Sequence, residues 1–254
     1  MTSYYQLPLL KPPVWTWEVP TYFFVGGAAG AAAVVGLAAQ VAGAEEKLVR
    51  DARWIAAIGA TLSAPLLIAD LGRPERFLNM LRVFKPQSPM SVGVWTVVLF
   101  GAATTAALFA PGKPLRDASA AVSALSGLSM TTYTGVLLGA TANPVWKAHV
   151  HLLPAHFAAS ALGSAVALLE LRGHRDVALQ SLGLGAALFE SAAGFALPKR
   201  DTIASALAGP IPFLLRLFGK RKAAAAVTLA GSLLTRFAWV DAGRESVKDV
   251  DAVL

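Results

Sequence analysis

Long apolar runs recur along this chain with only short polar breaks between them, and that succession restricts the fold more than any other feature of the sequence. A membrane-crossing helix needs about 20 apolar residues, because the hydrocarbon is roughly 30 Å thick and each helical residue rises about 1.5 Å. Runs of this kind predict spans at 18–43, 54–72, 91–111, 118–140, 151–171, 176–197 and 223–240. A weaker run, IASALAGPIPFLLRLFG within 202–219, carries Pro210, Pro212 and Arg216; it reads as a further span, giving eight, or as an interfacial piece, giving seven. The expected fold class is therefore all-α, a polytopic transmembrane helix bundle. It forms a single integral-membrane domain over 1–254, with short extramembrane tails at 1–17 and 241–254.

Composition agrees with a lipid solvent. Hydrophobic residues make up 56% of the chain and charged residues 15%, against about 25% charged in a soluble domain. That excludes an ordinary cytosolic enzyme and a disordered chain. The net charge of +7 comes from short basic clusters between apolar runs, which suits loops at a membrane surface rather than a nucleic-acid interface. Of the 22 Lys and Arg, eleven fall in loops after odd-numbered spans, so charge leaves the orientation open. Cysteine is absent, which removes disulfides, thiolate metal sites and cysteine-ligated iron–sulfur clusters. No GxxxxGK[ST], HExxH or GxSxG motif occurs. The N-terminus MTSYYQLPLLKPP lacks the basic start of a cleavable signal. The tryptophans (Trp15, Trp17, Trp54, Trp95, Trp146, Trp239) all fall near predicted interfaces, where indoles are favoured. VGGAAGAAAVVG and SLGLGAALFESAAG, with Gly26 and Gly30 four apart, read as close helix contacts.

The parity of an up-and-down bundle sorts the polar residues. Glu18, Thr21 and Tyr22 start span one, Asp70 and Arg73 end span two, and Tyr133 lies late in span four. His151 and His156 open span five, Glu190 lies late in span six, and Arg236 and Asp241 end the last span. All fall in one half of the membrane, while the other half holds little beyond Gln40, Gln180 and Glu170. An ionisable group in hydrocarbon costs at least about 2.5 kcal/mol, so this set marks a polar cavity, with interhelical pairing (Glu190 with Arg236, Asp70 with Arg73) as the plainer reading. Three of the four histidines share one segment, so no two facing helices offer a haem pair. No metal or haem is expected on this chain.

Three segments, VWTWEVPTYFFVGGAAGAA, LIADLGRPERFLNML and TTYTGVLLGATANPVW, resemble the polysulfide reductase, NrfD-like family, and the ending LLTRFAWVDAGRESVKD is similar to the end of such subunits. DLGRPERF is the most specific stretch, and the likeness is weakest around 200–222. The resemblance implies an eight-helix subunit of a respiratory oxidoreductase in a bacterial or archaeal cytoplasmic membrane. Such a subunit is not catalytic alone. It holds no metal itself, binds a quinone (menaquinone or ubiquinone) and exchanges electrons with an iron–sulfur, four-cluster ferredoxin-like subunit. Beyond that subunit lies a molybdenum or tungsten pterin catalytic subunit.

Carried onto this sequence, the quinone contacts fall on Glu18, Thr21, Tyr22 and Tyr133, with Arg73 beside them. Relatives can carry Asn and His where this chain has Glu18 and Thr21. Proton transfer is expected of Glu18, Asp70, His156 and Glu190. The loop with Arg73, Arg76, Arg82 and Lys85 is a docking surface, or else an amphipathic loop anchored among headgroups. The alternatives are a proton- or ion-translocating subunit, or a passive anchor without quinone.

Overall fold

The computed structural model describes residues 10–71, 73, 75–194 and 202–248. Its helices are α1 (Glu18–Val41), α2 (Glu46–Asp70), α3 (Glu75–Met80), α4 (Pro89–Phe109), α5 (Lys113–Gly139), α6 (Pro144–Ala148), α7 (Leu152–Leu171), α8 (Val177–Gly194), α9 (Thr202–Ala208), α10 (Pro210–Leu217) and α11 (Arg221–Ser246). Of these, α1, α2, α4, α5, α7 and α11 are the six long and apolar enough to cross a membrane. The shorter α8 carries Gln180 and Glu190.

Small residues set the register between helices. In lipid no hydrophobic force pulls helices together, so close van der Waals approach has to do it. A Cβ on Gly30 would strike the Gly127 carbonyl of α5, and Gly26 lies against Met130 and Ser63. Gly59 of α2 meets Ala29, and Gly27 meets Ala161 of α7. These contacts lay α1 antiparallel to α2 and α5 and parallel to α7. We call the end where α1 begins the near end and the opposite one the far end.

The weaker run folds as two short helices, α9 and α10, broken in the middle and shorter than the six candidate spans. Pro210 and Pro212 lack the N–H that would tie them to the preceding turn, and the chain kinks at Gly209 (φ −117°, ψ −79°). Gly209 packs on Ser191 near the end of α8, Gly231 of α11 packs on Leu207 and Ala208, and the Arg216 guanidinium lies on Gly183 in the first half of α8. The half-helices α9 and α10 thus descend beside α8 toward the far end rather than lying on the surface.

Helix bounds differ from expectation at polar ends. α2 starts at Glu46 instead of 54, and α5 at Lys113 instead of 118; charged residues just past these starts, Asp51, Arg53 and Asp117, find partners on other parts of the bundle. α11 runs to Ser246, past the expected end at 240. Its end is fastened: Asn143 Nδ2 donates to the Gly243 carbonyl at 2.7 Å and Ser246 Oγ donates to Asn143 Oδ1 at 2.9 Å. Residues 1–9 and 249–254 of the expected tails, and 195–197 of the sixth span, lie outside the described residues.

The tryptophans split. Trp17, Trp54 and Trp95 are exposed. Trp146 and Trp239 are instead fully buried, Trp146 Nε1 donating to the Trp239 carbonyl at 2.8 Å. Trp15 stacks on Trp146 with ring centroids 5.4 Å apart. An indole near a helix end can satisfy its N–H inside the bundle as well as at the headgroups.

Candidate functional site

The near end holds two polar clusters. The first is built by the start of α1, the end of α2, the start of α4 and the last third of α5. The α1 register with α2 brings Glu18 opposite Asp70. The Asp70 carboxyl lies near the Thr16 backbone N–H and within electrostatic reach of Glu18. Thr16 Oγ1 contacts the Glu18 carboxyl, and Thr21 Oγ1 donates to the Trp17 carbonyl at 2.7 Å. Tyr22 is buried and close enough to Tyr133 for the two phenols to interact electrostatically.

The Tyr133 ring lies over Gly93, where a Cβ would overlap it, and its hydroxyl donates to the Pro89 carbonyl at 2.6 Å. The ring is half-buried. Its proton is committed, but the phenol oxygen keeps lone pairs that can accept. Arg73 is exposed rather than clamped on Asp70, whose carboxyl has the Thr16 N–H beside it instead.

The second cluster joins α7, α8 and α11. His156, Glu190 and Arg236 are buried at 1%, 3% and 1% exposure. His156 Nδ1 lies 3.6 Å from Glu190 Oε1, beyond hydrogen-bonding range. Arg236 Nη2 donates to the Phe157 carbonyl at 3.0 Å, and its guanidinium sits 4.1 Å above the Phe157 ring. Both nitrogens of His156, both oxygens of Glu190, and Nε and Nη1 of Arg236 have no hydrogen-bond partner. A small void lined by Ser160, Glu190 and Ser232 borders them, with room for about one water. Aromatic rings bridge the clusters: Phe23 of α1 lies 6.2 Å from Phe157, and His156 lies 6.1 Å from Trp239.

The residues that parity grouped, among them Glu18, Asp70, Tyr133, His156, Glu190 and Arg236, do lie at one end of the bundle. The sequence reading weighed Arg236 only as a pairing partner for Glu190 and passed over Trp239. Their signal was present: both lie on one turn of the last span, four residues and one residue before Val240.

The far end is not dry. Asp51 receives Arg172 Nη2 at 3.0 Å and faces His174 Nε2 at 2.9 Å. Glu170 Oε1 accepts from Arg216 Nη1 at 2.7 Å, both side chains fully buried. Arg53 reaches Gln40 at 2.7 Å and Asp117 at 3.2 Å. The expectation of a nearly apolar half failed because the early start of α2 carries Asp51 and Arg53 into the bundle.

Between α2 and α4, Arg73, Arg82 and Lys85 are exposed, as are Leu78, Val83 and Phe84. Phe84 packs edge-on against Trp95 at 6.3 Å. Arg76 lies on α3, and its side chain is outside the described residues. Among the described residues no group of three or more His, Asp or Glu is placed to hold a metal ion.

Membrane-crossing helices, held at close range by small residues and carrying buried polar clusters at both ends, define a multi-pass integral-membrane protein. The chain belongs to the polysulfide reductase, NrfD-like family, whose model matches residues 1–199. The match takes in α1 to α8 and stops short of α9, α10 and α11. Family and fold together make it the membrane subunit of a redox complex. No curated protein matches the chain.

Proposed function

We propose that this subunit binds quinone or quinol at the near end of α1, α2, α4 and α5 and exchanges electrons with an iron–sulfur partner. A molybdenum or tungsten pterin subunit beyond that partner acts on the substrate, and the assembly sits in a bacterial or archaeal cytoplasmic membrane. The observation that carries the reading is that a half-buried phenol, Tyr133, and two neighbouring carboxyl groups, Glu18 and Asp70, lie at the same end of the bundle.

These residues fit a quinone head group. A bound quinone supplies two-electron, two-proton redox chemistry. Tyr133 holds its ring in place on Gly93 and offers its phenol oxygen to a head-group hydroxyl, or turns from Pro89 to donate to a carbonyl. Glu18 and Asp70 move protons between the site and the adjacent aqueous face. Thr21, Tyr22 and Arg73 complete the contacts, Tyr22 as the buried floor. His156 and Glu190 stand behind as a proton store. Arg73, Arg76, Arg82 and Lys85 form the docking surface for the iron–sulfur subunit, with the exposed Leu78 and Phe84 as its apolar anchors.

The test is turnover of the purified complex with quinone and with an artificial dye that bypasses the membrane subunit. Glu18→Gln is expected to lower quinone-linked turnover by about a hundredfold, the low end for a positioned proton-transfer group. Tyr133→Phe lowers it as well, and both leave dye activity intact. Normal quinone turnover in both variants would overturn the assignment.

A second reading, proton translocation, is favoured by the orphaned atoms of His156, Glu190 and Arg236. Proton uptake by liposomes during turnover, lost in Glu190→Gln while quinone turnover persists, would favour it.

A further inference from the structure

At the far end, where α7 stops and α11 begins, a cleft of about 650 Å³ is lined by Glu170, His174, Arg175, Lys220, Arg221 and Lys222. Four of these six are permanent cations. The cleft also includes the first turn of α11, a helix of 26 residues whose N-cap, Lys220, provides no capping side chain. A helix N-terminus with free N–H groups and surrounding cations suits a phosphate.

A second observation is independent of the helix end. Glu170 is 4% exposed; its Oε1 is taken by Arg216, and its Oε2 has no hydrogen-bond partner although the residue lines the cleft. That oxygen is itself enclosed, so a donor from an occupant reaches it only once the Glu170 side chain turns toward the cleft that the residue lines. Hydrogen phosphate could donate through its one remaining P–O–H, whereas a phosphodiester has none and donates only through a free hydroxyl on its alcohol.

The rim identifies where such an occupant comes from. Leu171, Val177, Leu217 and Phe218 are 44%, 77%, 59% and 77% exposed beside the cleft. Large apolar side chains next to a basic pocket at the end of membrane-crossing helices serve acyl chains below a headgroup. An acidic peptide would gain nothing from them.

We propose that this cleft binds the headgroup of an anionic glycerophospholipid, its phosphodiester on Lys220, Arg221, Lys222 and the first turn of α11, and a headgroup hydroxyl donating to Glu170 Oε2. The site lies at the junction with the part of the chain beyond the family match, so the lipid clamps α10 and α11 onto α7. It stands apart from the quinone reading, which concerns the near end.

The probe is phosphatidylglycerol, presented in mixed micelles to the full chain purified in neutral detergent, with retained lipid counted by native mass spectrometry. Phosphatidylglycerol is expected to be retained and phosphatidylcholine lost. Arg221→Gln/Lys222→Gln should weaken retention by about 30-fold, two basic residues each contributing about fivefold. Arg50→Gln/Arg116→Gln, which removes the same charge from the other basic cleft at this end, should leave it unchanged. Both double variants should melt like the parent in phosphatidylcholine; if the first does not purify, Lys222→Gln alone should lose about fivefold. Equal loss in both double variants, or equal retention of phosphatidylcholine, would overturn the site. Displacement by inorganic phosphate would make it a free-anion site, and displacement by polyglutamate a protein-docking site; either overturns the lipid assignment. Equal retention of phosphatidic acid would overturn the role given to Glu170.

Discussion

At the far end, Glu170 and Arg216 meet at 2.7 Å, and Asp51 takes Arg172 at 3.0 Å and His174 at 2.9 Å. At the near end, His156 and Glu190 stand 3.6 Å apart, and Arg236 spends one nitrogen on a carbonyl and leaves two others unpaired. The two ends hold comparable residue types at comparable depth. The far end brings its opposite charges into direct contact, although Glu170 Oε2 and two nitrogens of Arg216 stay unpaired, whereas the near end leaves both oxygens of Glu190 and both nitrogens of His156 orphaned. A buried polar atom without a partner costs about 1–3 kcal/mol, so the near end is held at a free-energy cost by the packing around it. Paired charge fixes how helices dock. Unpaired charge is chemistry kept available for a water, a proton or a ligand.

The sharpest way to break this contrast is to strip one partner from the far end. Arg216→Met leaves Glu170 buried and uncompensated, which should destabilise the protein by about 3–5 kcal/mol. A melting curve in detergent reads this, and adding Glu170→Gln to Arg216→Met should recover most of the loss. An unmoved midpoint in the single variant would mean that the ion pair does not hold the helices.

Glu190→Gln at the near end should behave differently. Its oxygens make no hydrogen bond, and what is lost is only the longer-range attraction to the buried Arg236, so the melting midpoint should fall by about 1–2 kcal/mol equivalent, less than in Arg216→Met. Turnover-linked proton uptake should fall nonetheless. A loss of stability as large as that of Arg216→Met would erase the difference between the ends.

Tyr133→Phe removes one hydrogen bond, to Pro89, and should cost about 1 kcal/mol. Its main effect is expected in quinone turnover rather than in the melt. The smallest effect belongs to Asp117→Asn. Its side chain is 34% exposed and Arg53 keeps Gln40 and the Ala107 carbonyl, so the melting midpoint should stay within measurement scatter, and raising the salt should not change that. A marked drop would move Asp117 into the class of Glu170.

Much of the candidate site was legible in the sequence because up-and-down topology converts chain position into depth. Tyr22, Tyr133, His156 and Glu190 each declared their end of the membrane from the span they lay on. What parity does not give is azimuth. Depth alone did not show that Tyr133 faces Gly93 and Pro89 of α4, or that Arg236 turns onto Phe157. The likeness to the family stood on α1, α2 and α5, which the matching region covers, and on the ending LLTRFAWVDAGRESVKD, which that region does not reach. It ends before Arg216 and Arg236, the two buried arginines that distinguish the two ends.

The sequence by itself determined that the chain crosses a membrane many times, roughly where, and that small residues such as Gly26 and Gly30 let α1 approach its neighbours. Those properties are local: apolar length and residue size act within a single helix or a single contact. Only the tertiary structure decided that α2 begins at Glu46, that 202–217 forms two half-helices packed on α8 and α11, and which charges are matched. Asp51 and His174 are 123 residues apart, and Glu170 and Arg216 are 46 apart. Whether such groups meet depends on how whole helices rotate and dock. In a low-dielectric interior that meeting separates a charge that stabilises the fold from one held in reserve.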